Sequence, residues 1–192
     1  AAATTTVSAA DFPWFLLLGL ACGLVGIVWM RALPVVERVL SATRAPRAIH
    51  PIIGGLIVGE IATLCPQVLS GGHGALAYVL EVQLPLGFIL TLAAYKLLAS
   101  VVSLGGGFRG GMFFSSILVG ALVGRAVSFE LAQLLPHIST PNSLALALVG
   151  MGSLAAAVIG TPLTMSFLVL ETTSDYGLTG AVLAASVTSN LI

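Results

Sequence analysis

The chain has 192 residues, of which 58% are hydrophobic and 7% charged, with zero net charge and a mean hydropathy of +1.11. So few charges cannot cover a water-soluble domain of this size, which would expose large apolar patches. Zero net charge also removes the electrostatic case for nucleic acid. What remains is an all-α integral membrane protein, since helices satisfy their backbone polar groups internally in lipid.

Residues 1–11 read as a linker or a cut end, and residues 12–192 as one transmembrane domain. The opening AAATTTVSAA carries no positive charge, so it is no secretory signal, and it suggests a piece of something longer. Phe12 to Met30 is the first apolar run, about the length that spans ~30 Å of hydrocarbon. Trp14 and Trp29 near its ends suit an aromatic belt. Arg31, Arg38, Arg44 and Arg47 follow, four of the seven basic residues. The positive-inside rule makes the loop over 31–50 cytoplasmic, so the first helix starts outside and runs inward.

Pro51 to Leu64 is a shorter run holding Glu60, and Pro66 to Gly74 is a turn region. Leu84 to Leu104 can span and holds Lys96. A glycine loop over Gly105–Gly111 leads into Met112 to Leu135, with Arg125 and Glu130 late in it. Pro136 to Asn142 is a turn, and Ser143 to Ile159 is dense in Ala, Leu and Gly. After the break at Gly160-Thr161-Pro162, read as an N-cap with proline at the first helical position, Pro162 to Glu171 has only ten residues. That is ~15 Å of helix, too short to cross a bilayer. Leu178 to Ile192 is a last short run. Interrupted helices are tolerated in membranes only where they are buried in protein or line a cavity. They point to a transporter's binding region near the midplane.

The stretch from Ser103 to Ser116, SLGGGFRGGMFFSS, places five glycines before a helix-forming run. A helix start has backbone N–H groups without internal partners and roughly half a positive charge from the macrodipole. Such a start binds anions without a fixed cation, and partial charges bind an ion without trapping it. The other reading is that these glycines permit close helix packing. Gly105, Gly107 and Gly110 also satisfy GxGxxG, but the preceding run is far too long for the strand that a dinucleotide site requires.

Arg109-Gly-Gly-Met-Phe-Phe-Ser115 resembles the second-half anion motif of the CLC chloride channel and transporter family, Gly-(x)-Gly-Gly-Ile-Phe-Ala-Pro. The run from Gly150 to Tyr176, GMGSLAAAVIGTPLTMSFLVLETTSDY, is similar to that family's AGMGA…APLTG…LVLEMTDNY segment. Ser70-Gly-Gly-His-Gly74 falls where the family carries a Ser-Gly-Gly-Gly turn, and the three matches agree in order and spacing. The resemblance covers nearly the whole chain and implies a CLC-type fold of tilted, discontinuous helices. The chain then corresponds to most of the second of two inverted repeats, incomplete at its C-terminal end.

The resemblance further implies chloride transport, as a channel or a chloride–proton antiporter, with the anion held by the backbone N–H groups of Met112 and Phe113. Chloride is then the transported ligand, with no cofactor and no metal. Phe114-Ser115 stand where Ala-Pro is usual, which loosens the first turn while Ser115 offers a cap. The family's Gly-Arg-Glu-Gly-Pro gate, its Gly-Ser-Gly-Ile-Pro motif and its final-helix tyrosine are absent from this chain. By itself it is not expected to form a complete pathway, and it needs a partner N-terminal half. Because the family pairs subunits through this last region, a homodimer surface is expected over about 162–192. The membrane is expected to be a plasma or inner membrane. An organic-anion transporter of another family, or a structural half-subunit, are the alternatives.

Several single residues carry two readings. Arg109 either concentrates anions or snorkels to an interface. Lys96 either serves the pathway or packs. Glu60 suits an interior ion pair, and Glu171, at the family's LVLE position, suits satisfying nearby backbone donors. Cys22 and Cys65 read as free buried thiols. His50, His73 and His137 are too scattered for a metal site. Neither HExxH nor GxSxG occurs, so an enzyme is not expected.

Overall fold

A computed structural model describes residues 8–42, 46, 48–69, 73–82, 84–108, 110, 112–134 and 141–192. Among these, every regular element is helical: α1 Phe12–Ala42, α2 His50–Leu64, α3 His73–Glu81, α4 Leu86–Gly105, α5 Met112–Leu134, α6 Ser143–Ile159, α7 Pro162–Thr173 and α8 Tyr176–Asn190. Short 3-10 turns precede α1 at Ala9–Asp11 and follow α2 at Pro66–Val68. Among the described residues, three helices are long and apolar enough to cross a membrane: α1, α4 and α5.

α1 corrects the first sequence boundary. It runs 31 residues, past Met30 and through Pro34, so Arg31 and Arg38 lie on a helix and not in a loop. Charge ends an apolar run but not a helix, because arginine and glutamate are good helix formers. At ~46 Å it exceeds the hydrocarbon thickness, so it tilts or carries its basic end into the headgroups. Arg44 and Arg47 lie outside the described residues. Trp29 is wholly buried in the core, so it belongs to no aromatic belt.

α6 is the central helix. Asn142 caps its start, accepting from the Leu144 N–H at 3.2 Å, and Gly160 ends it at φ 79°. That left-handed conformation is open to glycine at no steric cost. α5 lies against α6 with backbone nearly touching backbone: a Cβ on Gly120 would collide with the Gly150 carbonyl, and one on Gly124 with that of Leu146. On the other side α1 meets α8, where a Cβ on Gly19 would come within 2.5 Å of the Ala185 carbonyl. Small residues allow this in lipid, where helices associate by packing and not by expelling water. The main core joins Phe15, Leu18, Cys22, Trp29, Leu146, Leu154, Leu178 and Val182. A second core joins Val68, Val79, Ile89, Leu92, Leu118 and Leu122.

Both cysteines are free and buried, as expected. Other expectations are corrected. The turn region beginning at Pro66 gives way at His73 to α3, which the sequence reading did not foresee. Glu60 lies exposed on α2, so it is not an interior ion-pair member. Glu171 is exposed on α7; the carboxylate that accepts a backbone N–H nearby is Asp175, from Leu178 at 3.1 Å. Thr161 occupies the cap position of α7 without a capping bond, and its hydroxyl is buried without a partner among the described residues. Lipid-facing and protein-facing positions are both apolar, so composition alone could not assign these sides.

Candidate functional site

The glycine loop does lead into a helix start. α4 ends at Gly105, Gly107 turns the chain at φ 93°, and α5 begins at Met112. Residues 109 and 111 lie outside the described residues, as do Ser70, Gly71, Gly72 and His137. Ser115 is the fourth residue of α5, so it stands inside the helix and not at its cap; the neighbouring Ser116 donates to the Phe113 carbonyl at 2.7 Å.

A cleft of about 390 Å³ opens at this helix start, with Gly110, Met112, Phe114 and Ser115 on one wall. The facing wall is α4, through Lys96, Ser100 and Ser103, with Val68 and Leu69 closing one end. The Phe113 side chain turns instead into the apolar cluster of Ile117, Ala155, Ala156 and Met165, and its ring stands edge-on to Phe114 at 5.1 Å. That packing anchors the first turn of α5. The N–H groups that a helix start leaves without a partner inside the helix begin here at Met112 and Phe113.

Lys96 is only 3% exposed and donates from Nζ to the Val68 carbonyl at 2.8 Å. This bond ties α4 to the 3-10 turn after α2. Of the two sequence readings of Lys96, packing is visible in this bond, while its position in the cleft wall keeps its charge beside the helix start. Sequence reasoning missed Ser100 and Ser103 as cleft residues. The signal was available, since they stand four and seven residues after Lys96 and therefore share its face of α4. Arg125 of α5 does not reach the cleft; it donates to the Val82 carbonyl, pinning the end of α3.

The helix start that faces a buried cation across a cleft can be set beside known proteins. The profile of the family described as voltage gated chloride channel matches residues 2–192. The chain belongs to the voltage-gated chloride channel family. It is 32% identical over 195 residues to chloride channel protein CLC-e of Arabidopsis thaliana, covering 93% of this chain and 28% of that one. It is 28% identical over 189 residues to the voltage-gated ClC-type chloride channel ClcB of Escherichia coli O81 (strain ED1a), covering 98% and 45%. The chain thus spans less than half the length of these family members. Its fold is that of a solved slow cyanobacterial Cl-/H+ antiporter, with a TM-score of 0.86 at 23% identity, covering 98% of this chain and 44% of that one. Membership of this family makes the chain an integral membrane protein of CLC type, and among the described residues three helices are long and apolar enough to cross a membrane.

Proposed function

We propose that this chain supplies one half of a chloride pathway, with the anion held at the start of α5 by the backbone N–H groups of Met112 and Phe113. One observation carries the reading: in a chloride-channel family member, the first turn of α5 and the buried Lys96 stand on facing walls of one cleft. Unpaired amides and the macrodipole hold the anion, while Lys96, tethered to Val68, draws it in without gripping it. The work is transport and not catalysis, with chloride as cargo and no metal or cofactor.

The partner half is expected to complete the pathway, since the ClcB relative is matched over only 45% of its length. Reconstituted alone in liposomes, the chain is expected to release no chloride above the rate of empty vesicles. Reconstituted with the preceding half, it is expected to release chloride on addition of a potassium ionophore. A complete pair that moves no chloride, nitrate or fluoride overturns the reading in favour of an organic-anion carrier or a structural subunit. The basic end of α1 faces the cytoplasm in this reading.

A second copy is proposed to seat on α7 and α8. The small residues of α8, Ala181, Ala185 and Ser189, are buried within the chain. The exposed face carries Leu163 and Phe167 on α7, 61% and 65% exposed, and Val187 on α8, with Leu191 just past its end. Phe167→Glu with Val187→Glu is expected to shift the protein from dimer to monomer in single-molecule photobleaching. A dimer that survives both changes places the contact elsewhere.

A further inference from the structure

A second cleft, of about 720 Å³, runs between α1 and α4. It lies on the side of α4 turned away from the first, because Leu97, Leu98 and Val101 fall on the face opposite Lys96, Ser100 and Ser103. From α1 it takes Val28, Ala32 and Val35, with Trp29 behind them. Among its described lining residues the one charge is Arg31. Arg38 stands seven residues on, hence on the same face of the helix and ~10 Å further along it. Both arginines are exposed, with Glu37 beside them, and Arg44 and Arg47 follow in the chain.

We propose that this cleft is a binding site for an anionic phospholipid, one acyl chain lying between α1 and α4 and its phosphate on Arg31 and Arg38. The argument is one of charge and depth. Between two membrane-spanning helices an open apolar groove is filled by lipid tails, which are as apolar as its walls, so the tail alone brings no selectivity. Selection comes from the end of the groove, where the apolar lining gives way to guanidinium groups. Arginine forms paired hydrogen bonds to phosphate oxygens, and basic pockets between spans on the cytoplasmic side hold anionic headgroups. The lipid site is separate from the chloride cleft and does not depend on the transport reading.

The test uses the purified protein with phosphatidylglycerol and, separately, phosphatidylcholine. Native mass spectrometry is expected to show phosphatidylglycerol retained at least tenfold more tightly. Arg31→Gln with Arg38→Gln is expected to bring the two lipids level, since each arginine near the headgroups is worth several-fold in affinity. In a Trp14→Phe background, a phosphatidylglycerol with brominated acyl chains is expected to quench Trp29 fluorescence. Ala94→Phe, which fills the groove from an exposed position on α4, is expected to remove that quenching. If Ala94→Phe does not fold, Leu98→Trp cannot serve the fluorescence, but Leu98→Phe at a 53% exposed wall position can. Equal retention of the two lipids overturns the proposal, as does a preference that survives the double arginine change. Absence of quenching in the folded protein overturns it too, by showing that no acyl chain lies in the groove.

Discussion

Replacing Met112 with proline is expected to lower chloride flux through the complete pathway by roughly tenfold to a hundredfold while the protein still folds. Met112 is the first residue of α5, where proline is well tolerated because that N–H has no partner within the helix. The substitution therefore deletes one backbone donor and keeps the helix. A hydrogen bond to a charged partner contributes about 1.5–3 kcal/mol, which sets the size of the loss. The residue before it is glycine, which has no Cβ to clash with the proline ring. The comparison variant is Met112→Leu, which changes the side chain and spares the N–H, and it is expected to keep near-normal flux. Ion-flux assays on both variants separate the backbone from the side chain. Equal flux through the proline and leucine variants moves the anion away from this amide.

Replacing Gly150 with leucine is expected to abolish the folded protein. Gly150 sits where α6 touches the backbone of α5 at Gly120, so a side chain there meets main-chain atoms that cannot rotate away. Overpacking into yielding side chains costs about 1–3 kcal/mol, and a backbone neighbour raises that figure. The helices must separate, and separation uncovers Val119, Leu146 and Val149, which share one core. The size-exclusion peak in detergent is expected to be replaced by aggregate. Gly59→Leu is the matching control, because nothing lies within 4 Å of a Cβ on that residue of α2. A monodisperse Gly150→Leu protein with an unchanged melting temperature would show that α5 and α6 do not meet as described.

Much of this was legible in the sequence where a specific residue stops a helix. Ser143 to Ile159 emerged with its observed bounds, because Asn142 and Gly160 are chemically suited to the two ends. The end of α1 was misplaced because Arg31, Glu37 and Arg38 interrupt hydrophobicity and leave helix propensity intact. α3 was missed because nine residues after a glycine pair carry too little periodic pattern to register. Of the cleft, Met112 was found through the loop that precedes it, while Ser100 and Ser103 were passed over for want of charge. Trp29, Glu60 and Glu171 were placed on the wrong side of their helices, since a lipid-facing and a protein-facing stripe look alike in composition.

The meeting of α1 with α6 and α8 sets a schedule for synthesis. The Cys22 thiol lies against the Gly150 carbonyl, 128 residues later in the chain. At ~5–20 residues per second, a ribosome takes on the order of ten seconds to deliver that partner. Gly19 waits longer still, for Ala185. Meanwhile α5 and α6, close neighbours in sequence, can pair as soon as both have emerged. α1 is therefore a span that spends its first seconds with its notched face filled by lipid, and its docking is a late step in the birth of the protein.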